Sequence, residues 1–596
     1  MPQVLLSLWV LALGTIAFLW HLGSVGLVDE TEPLFAEAAR QMIVRQDWVT
    51  PYFNEVQRFD KPPLIYWLMA LCYQIFGINE WAVRLPSALS AIVLVAIVAY
   101  SLVTYGQPWG WGSAPDSSQN PGWRKAVWGA AMVAFCGEML AWGRVGVSDM
   151  LLNACMGCSL LCFFHGYAQS DNKPGRGIWY FAAYSWAALA VLTKGPIGLV
   201  LPGLIILAFL IYIGQFWTVL REMQIFGGLF WIFVITIPWY VLVIQANGDA
   251  YIQSFFGYHN FERFTRVVNN HGAPWYFYFL VVLVGFAPWS IYLPPALYRL
   301  RFWQWQRWRS SPRQAHLGIF AFFWFIGVFG FFTIAVTKLP SYVLPLMPAA
   351  AILVALYGQE EWTENTVSAG KHLDHHSPKR SLSWRIFPWI NVGFLVILTL
   401  GFLLGTIWLQ WIKDPAMPNL PKDLDESGLL WRGGIILLIT TIVTIFFIPR
   451  KPIQWIWGSN LVGFVLLFCL TLIPAGAVID THRQQPLREL SSILATERRP
   501  GEALIMLAFE KPSIVFYSQG SVRFFRDYTN ALAFIYEQSS TLSPPDTLLI
   551  LTYPRRFAGL GLVPGSFERL GQRGSYELGR VEKSRFRDRP LDLNES

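Results

Sequence analysis

Charged residues are scarce in this chain of 596 residues. Asp, Glu, Lys and Arg make up 14% of it, whereas soluble domains contain about 25%. Hydrophobic residues account for 54%, and the mean hydropathy is +0.41. This composition excludes a disordered chain and an ordinary water-soluble enzyme. It indicates a protein that crosses a membrane several times.

Cysteine is also scarce, and nucleotide-binding loops are missing from the sequence. All six cysteines lie in or beside apolar segments, so no disulfide framework is visible. Cys155 and Cys158 have the spacing of a metal-binding pair, but no second pair completes a zinc site. Neither a P-loop nor a convincing dinucleotide-binding glycine motif occurs. These absences argue against a disulfide scaffold, a zinc protein and a nucleotide-binding fold.

Positive charge collects in short loops between the apolar runs. The net charge is +8 at pH 7, and basic loops such as 299–313 and 450–451 fall on the same side by parity. Short loops rich in Lys and Arg face the cytoplasm in membrane proteins. The basic character therefore reflects membrane topology and not binding of nucleic acid. It also predicts that residues 21–81, residues 247–274 and the tail from 480 face the extracytoplasmic side.

About thirteen apolar runs are long enough to cross a bilayer, for which a helix needs about 20 residues. They begin near Val4, Ala82, Lys125, Asp149, Ile178, Pro196, Ile225, Trp275, Gln314, Ser341, Phe387, Leu430 and Ile456. The sequence thus predicts a polytopic α-helical membrane protein whose membrane part is 1–479. The long first outer loop, 21–81, has helical spacing from Glu32 to Arg45.

From Asp480 the composition changes to that of a soluble domain. Segments 503–509 and 547–553 are short apolar runs typical of strands, and segment 530–539 between them has helical spacing. Strands that alternate with helices are typical of α/β folds. Residues 480–596 are therefore predicted to form a small α/β domain on the extracytoplasmic side.

Ionisable residues gather at the predicted outer boundary of the membrane. Placing a charge there costs free energy, so such residues are first considered as candidates for a functional site. A carboxylate there could accept a proton from an incoming hydroxyl or amine, while Lys and Arg could stabilise a departing phosphate. The candidate acids are Asp29, Glu30, Glu32 and Asp149, the candidate phosphate-binding cations are Arg58, Lys61, Arg144 and Lys338, and the candidate metal-binding histidines are His259 and His271.

Other charges at the boundary have simpler interpretations. Arg84 lies at the end of a span, where an arginine usually extends to the headgroups. Lys194 is as well explained by that role as by a role in a site. Glu37 in the outer loop is expected to be solvated.

Several motifs then point to a family. DETEPLFAEAARQM (29–42), QDWVTPYFN (46–54) and RFDKPPLIYWLMA (58–70) resemble the first outer loop of bacterial glycosyltransferase family 39 proteins. That family includes the aminoarabinose transferases that modify lipid A and is related to the protein O-mannosyltransferases. LTKGPIGLVLP (192–202) and TKLPSYVLPLMPA (337–349) match in family order.

The resemblance implies a GT-C membrane glycosyltransferase of the bacterial inner membrane. Such enzymes move a sugar from a polyprenyl phosphate to a lipid, protein or glycan acceptor on the outer face, usually with inversion. A lipid-linked donor also accounts for the missing nucleotide-binding loop. The family's leading acid maps onto Asp29, its second outer acid onto Asp149 and its phosphate-contacting lysine onto Lys61. Asp60, with His259 or His271, would hold a divalent metal ion.

The chain departs from the family in its first motif. Many relatives read D-E-x-R-Y-A-E, and counting forward from the start of the motif selects Asp29 and Glu30. Counting back from Phe-Ala-Glu selects Thr31 and Glu32 instead, and places Leu34 opposite the usual arginine. Arg58 or Arg144 would have to replace that phosphate contact. Asp29 is the preferred acid.

Two other functions remain open at this point. A flippase for lipid-linked sugars would have the same composition, although transporters usually place charges near the bilayer midplane and contain repeats. A ligase of the same architecture could use a lipid-diphosphate donor.

Overall fold

A computed structural model describes residues 2–106, 122–169, 175–255, 257, 272–370, 382–449, 453–540 and 545–587. Within this part of the chain, eight helices are long and apolar enough to cross a membrane, or up to nine if one bent pair counts as a span. The eight are Glu80–Tyr105, Ser148–Ala168, Ile225–Asn247, Arg313–Ile334, Pro340–Gly358, Ile386–Leu403, Leu429–Phe447 and Ile453–Arg483. The chain is therefore a multi-pass helical membrane protein.

The remaining helices are not both long enough and apolar enough to be counted as spans. They include Pro2–Gly14, Glu32–Arg45, Leu64–Phe76, Trp123–Ala134, Gly137–Trp142, Arg176–Lys194, Ile197–Ile213, Phe216–Met223, Phe277–Gly285, Leu293–Leu300, Leu420–Glu426, Gln485–Glu497, Ser513–Ser518 and Tyr528–Ser540.

The predicted number of thirteen spans is not confirmed by the lengths of these helices. Eight predicted runs coincide with the eight long helices, and the run near Trp275 is the pair Phe277–Gly285 and Trp289–Leu300, which meet at 111°. The runs near Val4 and Pro196 form shorter apolar helices, Gln3–Leu19 and Ile197–Ile213. The run near Lys125 forms the helix Trp123–Ala134, whose 12 residues are too few for a span. The run near Ile178 forms Arg176–Lys194, which has 19 residues but is not apolar enough to be counted.

The first outer loop is well structured. The predicted helix Glu32–Arg45 is confirmed, and it ends at Gln46, whose φ of 55° turns the chain out of the helix. A short hairpin of β1 (Tyr52–Phe53) and β2 (Val56–Gln57) follows. Pro62 and Pro63 precede the helix Leu64–Phe76, where a fixed φ suits a helix start. The two helices of the loop pack on each other and bury Phe35, Ala36 and Met42.

The C-terminal segment forms a five-stranded mixed sheet. Its strands are β3 (Leu504–Leu507), β4 (Arg523–Phe525), β5 (Thr547–Thr552), β6 (Glu568–Arg573) and β7 (Tyr576–Glu582), in the order β4-β3-β5-β7-β6. Strand β3 pairs in parallel with β4 and β5, whereas β7 is antiparallel to β5 and β6. The predicted strands and the helix between them are found. The helix Ile453–Arg483 runs through residue 480, where the composition changes.

Candidate functional site

Asp60 is the centre of a charged group in the first outer loop. Its Oδ2 accepts a hydrogen bond from Arg58 Nη2 at 2.5 Å, and its Oδ1 accepts one from the Tyr66 hydroxyl at 3.1 Å. Lys61 Nζ donates to the Asp60 carbonyl at 2.8 Å and lies 3.7 Å from Oδ2. Tyr66 sits in the first turn of the helix after the two prolines, so the local fold turns its hydroxyl back to Asp60.

Arg58 keeps its charge in this group although it is largely buried. Burial lowers the pKa of the Arg58 guanidinium, but the charges and hydrogen bonds of Asp60 and Tyr66 together raise it by more, so the pKa lies above its usual value. The guanidinium also lies 5.5 Å from the centre of the Phe35 ring. The loop thus holds a permanent positive charge beside Lys61.

Asp149 forms a second charged group that reaches the first. Its Oδ1 accepts a hydrogen bond from Lys194 Nζ at 2.8 Å. The Ser341 side chain also hydrogen-bonds to Asp149, and the charge of Lys61 acts on the same carboxylate. The name "charged cluster" is used below for Arg58, Asp60, Lys61, Tyr66, Asp149, Lys194 and Ser341.

The local fold explains these positions. Asp149 lies in the first turn of the helix Ser148–Ala168, where the helix dipole favours a negative charge. Lys194 is the last residue of its helix, which ends because Gly195 adopts a φ of 85°. Ser341 is the second residue of the helical segment Pro340–Leu346, which follows Leu339. Helix ends from four distant parts of the chain therefore meet at one place.

The charged cluster has the chemistry that a reaction with a phosphate leaving group needs. Three cations and two carboxylates lie together, so positive charge can stabilise a phosphate that gains negative charge. A neighbouring carboxylate can orient or deprotonate a nucleophile. Sequence reasoning left Lys194 undecided and did not select Tyr66 or Ser341. The motifs LTKGP and KLPSY contain Lys194 and Ser341 and were the signal available.

Asp29 lies in a different environment. Its carboxylate accepts hydrogen bonds from the Ser513 backbone N at 2.9 Å and the Ser513 Oγ at 2.6 Å. Burial outweighs these hydrogen bonds and raises the pKa of Asp29 to about 6. Arg483 Nη2 donates to the Asp29 carbonyl at 3.3 Å. The described partners of Asp29 thus come from the C-terminal segment and not from the charged cluster.

Further hydrogen bonds join the first loop to the C-terminal segment. Asp480 Oδ1 accepts from the Gly26 backbone N at 2.7 Å. The Tyr517 hydroxyl accepts from the Leu27 backbone N and donates to Glu80 Oε1, both at 2.9 Å. Together with Asp29 and Ser513, these residues are called the loop–tail contact below.

Glu32 is buried and holds the loop to the first long helix. Its carboxylate accepts from Arg84 Nε at 2.8 Å and Nη2 at 2.9 Å, and from the Gly146 backbone N at 2.7 Å. Arg84 is 2% exposed, so the expectation that it extends to the headgroups is wrong. The buried guanidinium is instead satisfied by Glu32 and by backbone carbonyls, which take the place of water. Glu30 is exposed and acts electrostatically on Arg526.

Glu37 also differs from its sequence interpretation. It is 1% exposed and makes two hydrogen bonds at 2.7 Å with Arg40, one helical turn further on. The expectation that it is solvated is wrong, because the helix Glu32–Arg45 turns this face towards the protein.

The two other predicted phosphate-binding cations donate to backbone carbonyls. Arg144 donates to Ala17 and His21, each at 3.1 Å. Lys338 Nζ donates to Ala335 at 2.6 Å. Both side chains therefore hold the ends of helical segments in the described structure.

The predicted metal ligands are only partly covered by the structure. His259 and His271 lie outside the described residues. Among the residues that are described, no group of three or more His, Cys, Asp or Glu side chains is arranged to hold a metal ion. Asp60 faces Arg58 and Tyr66 instead. A divalent metal ion remains a prediction.

Three family models match parts of the chain. Two describe dolichyl-phosphate-mannose-protein mannosyltransferases and match residues 60–107 and 118–249. The third describes the C-terminal domain of cyanobacterial RgtA-type glycosyltransferases and matches residues 497–596.

The chain is also similar to curated bacterial proteins, named undecaprenyl phosphate-alpha-4-amino-4-deoxy-L-arabinose arabinosyl transferases. The one from Proteus mirabilis is 28% identical over 353 residues, which are 58% of this chain and 57% of that protein. The chain thus spans little more than half the length of this relative. One from Pseudomonas fluorescens is 26% identical over 554 residues, 88% of each chain.

A solved structure has the same fold. The crystal structure of ArnT from Cupriavidus metallidurans bound to undecaprenyl phosphate matches with a TM-score of 0.76 and 20% sequence identity. The match covers 96% of this chain and 97% of that one. The chain therefore has an ArnT-like GT-C fold, and the resemblance to glycosyltransferase family 39 that its motifs predicted is confirmed.

Proposed function

We propose that this chain is a glycosyltransferase that moves a sugar from a polyprenyl phosphate to an acceptor, with inversion. The observation that carries the proposal is the charged cluster, in which the Arg58–Asp60–Lys61 group meets the Asp149–Lys194 pair. The named relatives are transferases with an undecaprenyl phosphate donor, which supports the same chemistry. The acceptor is a lipid, a protein or a glycan.

The cations of the cluster hold the donor phosphate. When the bond between sugar and phosphate breaks, the phosphate gains charge, and Arg58, Lys61 and Lys194 stabilise it most in the transition state. Arg144 and Lys338, which now bind carbonyls, are secondary candidates for this task. The isoprenoid tail lies along apolar helix surfaces.

Asp149 is better placed than Asp29 to act on the acceptor. It lies in the charged cluster, whereas Asp29 makes two hydrogen bonds with Ser513. Asp149 would orient the acceptor hydroxyl or amine and accept its proton. Asp29, Glu30 and Glu32 would then shape the loop that carries Arg58 and Lys61, without touching the reacting atoms. A metal ion at Asp60, with His259 or His271, would add to the charge on the phosphate.

The reaction takes place on the extracytoplasmic side of a bacterial inner membrane. The basic loops 299–313 and 450–451 support this orientation, because positive short loops remain in the cytoplasm. Thirteen spans result if the bent pair and four further helices also cross the membrane, namely Gln3–Leu19, Trp123–Ala134, Arg176–Lys194 and Ile197–Ile213. Residues 480–596 would form an extracytoplasmic α/β domain.

The transporter alternative is not favoured. The charges of the cluster sit at the ends of helices and not at their centres, and the named relatives are transferases. A ligase with a lipid-diphosphate donor differs in its product, because it would release a polyprenyl diphosphate.

The test is sugar transfer by the purified full-length protein in vesicles, with a polyprenyl-phosphate-linked sugar and an extract of envelope lipids, glycans and proteins. We expect free polyprenyl monophosphate and a labelled acceptor, both identified by mass spectrometry. Lys61→Ala should lower turnover by about 100-fold or more. The control is Lys422→Ala, at a lysine whose side chain is 75% exposed. Wild-type turnover in the Lys61 variant, or release of a diphosphate, would refute the assignment.

A further inference from the structure

Glu138 is a buried acid that lies close to the charged cluster. It belongs to the short helix Gly137–Trp142 and is 7% exposed. Trp142 on the same helix hydrogen-bonds to the carboxylate, yet Oε2 has no hydrogen-bond partner among the described residues. A buried carboxylate oxygen without a partner is costly, because it loses water and gains nothing in return. Such an atom calls for an explanation.

The position of Glu138 connects it to Asp149. Its neighbour Met139 accepts a contact from Asn153 Nδ2 at 3.3 Å through its sulfur. Asn153 follows Asp149 by one helical turn, and the Glu138 and Asp149 carboxylates act on each other electrostatically. The short helix also packs against the segment Pro340–Leu346, which carries Ser341. Glu138 therefore lies in the wall that holds Asp149.

Two further buried oxygens close by lack partners within the described chain. These are Ser148 Oγ and Asn153 Oδ1, both on the helix Ser148–Ala168, which also carries Asp149. The amide oxygen of Asn153 accepts hydrogen bonds and cannot donate them. The same is true of Glu138 Oε2 when the acid is ionised. Unsatisfied acceptors of this kind suit a ligand that brings donors.

The surroundings leave room for the Glu138 side chain. A Cβ atom at Gly285 would lie 2.5 Å from Glu138 Cγ, so the glycine lets the carboxylate pass. Other acids near the site have a cation: Asp60 has Arg58, Asp149 has Lys194, and Glu32 has Arg84. Glu138 forms no ion pair with any described residue.

We propose that Glu138 accepts a hydrogen bond from a hydroxyl or ammonium group of the transferred sugar and so selects the sugar. The inference rests on the proposed function. A polyprenyl phosphate offers acceptor oxygens and an apolar tail, but no hydrogen-bond donor, so only the sugar part of the donor substrate can satisfy Oε2. Glu138 is then a specificity residue on the wall of the site, while the cations of the charged cluster bind the phosphate.

The experiment compares wild type, Glu138→Gln and Glu138→Leu in vesicles with two donors, polyprenyl-phosphate mannose and polyprenyl-phosphate 4-amino-4-deoxy-arabinose. We expect Glu138→Leu to raise KM for the donor that wild type uses by about 10-fold to 100-fold, which is the range for one charge-assisted hydrogen bond. If the bound group is an ammonium, Glu138→Gln loses as much. If it is a hydroxyl, Glu138→Gln stays within about 3-fold of wild type, since the amide oxygen still accepts.

Binding of sugar-free undecaprenyl phosphate separates this role from a structural one, and it should be the same in all three proteins. Gly285→Ala keeps the Glu138 carboxylate but displaces it, and should also raise KM. Glu426→Gln is the control, at an exposed acid. Unchanged KM in both Glu138 variants, or loss of undecaprenyl phosphate binding in both, would overturn the proposal. An inactive wild type would instead overturn the proposed function and this inference with it.

Discussion

The first outer loop contains two groups of acids with different surroundings. Asp60 faces arginine, lysine and tyrosine side chains in the charged cluster, beside Asp149. Asp29 and Glu32, about one helix earlier in the chain, are satisfied by a serine of the C-terminal segment and by the buried Arg84. Several cations gather around the acids of the first group, which suits it to chemistry, whereas the hydrogen bonds of the second group hold the loop in place. Acids in one short loop can therefore have separate tasks.

Breaking the Glu32–Arg84 pair should give the largest loss of folding stability. Arg84→Ala leaves Glu32 buried without its cation, and we expect a loss of about 3–5 kcal/mol in stability. Thermal unfolding of the purified protein in detergent measures it. Glu32→Gln with Arg84→Ala should cost less than the sum of the single changes. Additive losses would show that the two side chains do not interact.

Lys194→Ala tests the charged cluster through its effect on turnover. We expect turnover to fall by about 100-fold to 1000-fold, because one stabilising cation is lost and Asp149 loses its partner. Sugar transfer in vesicles is the measurement. Lys194→Arg should recover part of the activity, since the charge returns. A Lys194→Ala protein with wild-type turnover would remove Lys194 from the site.

The pH dependence of stability distinguishes the two groups further. The pKa of Asp29 is raised to about 6 in the folded protein, so its folded form prefers the protonated acid. Its contribution is therefore fully present below about pH 4 and is lost as the pH rises through about 6, by at most about 3 kcal/mol. Thermal unfolding from pH 4 to 7 should show this loss in wild type. Asp29→Asn should remove it, and an unchanged pH profile would contradict the assignment.

The smallest expected effect concerns the loop–tail contact itself. Ser513→Ala removes one of the two hydrogen bonds to Asp29 and should cost about 1–2 kcal/mol of stability, with turnover reduced only slightly. Ser492→Ala is a suitable control, because that exposed hydroxyl bonds only to its own helix among the described contacts. Loss of turnover as large as for Lys194→Ala would instead place Asp29 among the groups that touch the substrate.

Sequence patterns located part of the site and missed the rest. Lys61 and Asp149 were selected, like Asp29, because they lie beside a membrane boundary with proline or glycine nearby, and Asp60 was selected from the family resemblance as a metal ligand. Lys194 was left undecided, since a lysine at a span end has an ordinary explanation. Ser513 could not be paired with Asp29 from the sequence, because nothing local relates residues that are 484 positions apart.

The amino-acid sequence by itself determined that this is a multi-pass helical protein, because the bilayer requires long apolar helices whatever their arrangement. Its motifs also determined the family resemblance. Only the tertiary structure decided which acid meets which cation. A carboxylate takes its chemical role from neighbours within a few ångströms and from its loss of water, and packing between distant helices supplies both. Asp149 and Asp29 are the same residue type, but packing gave one a lysine and the other a serine.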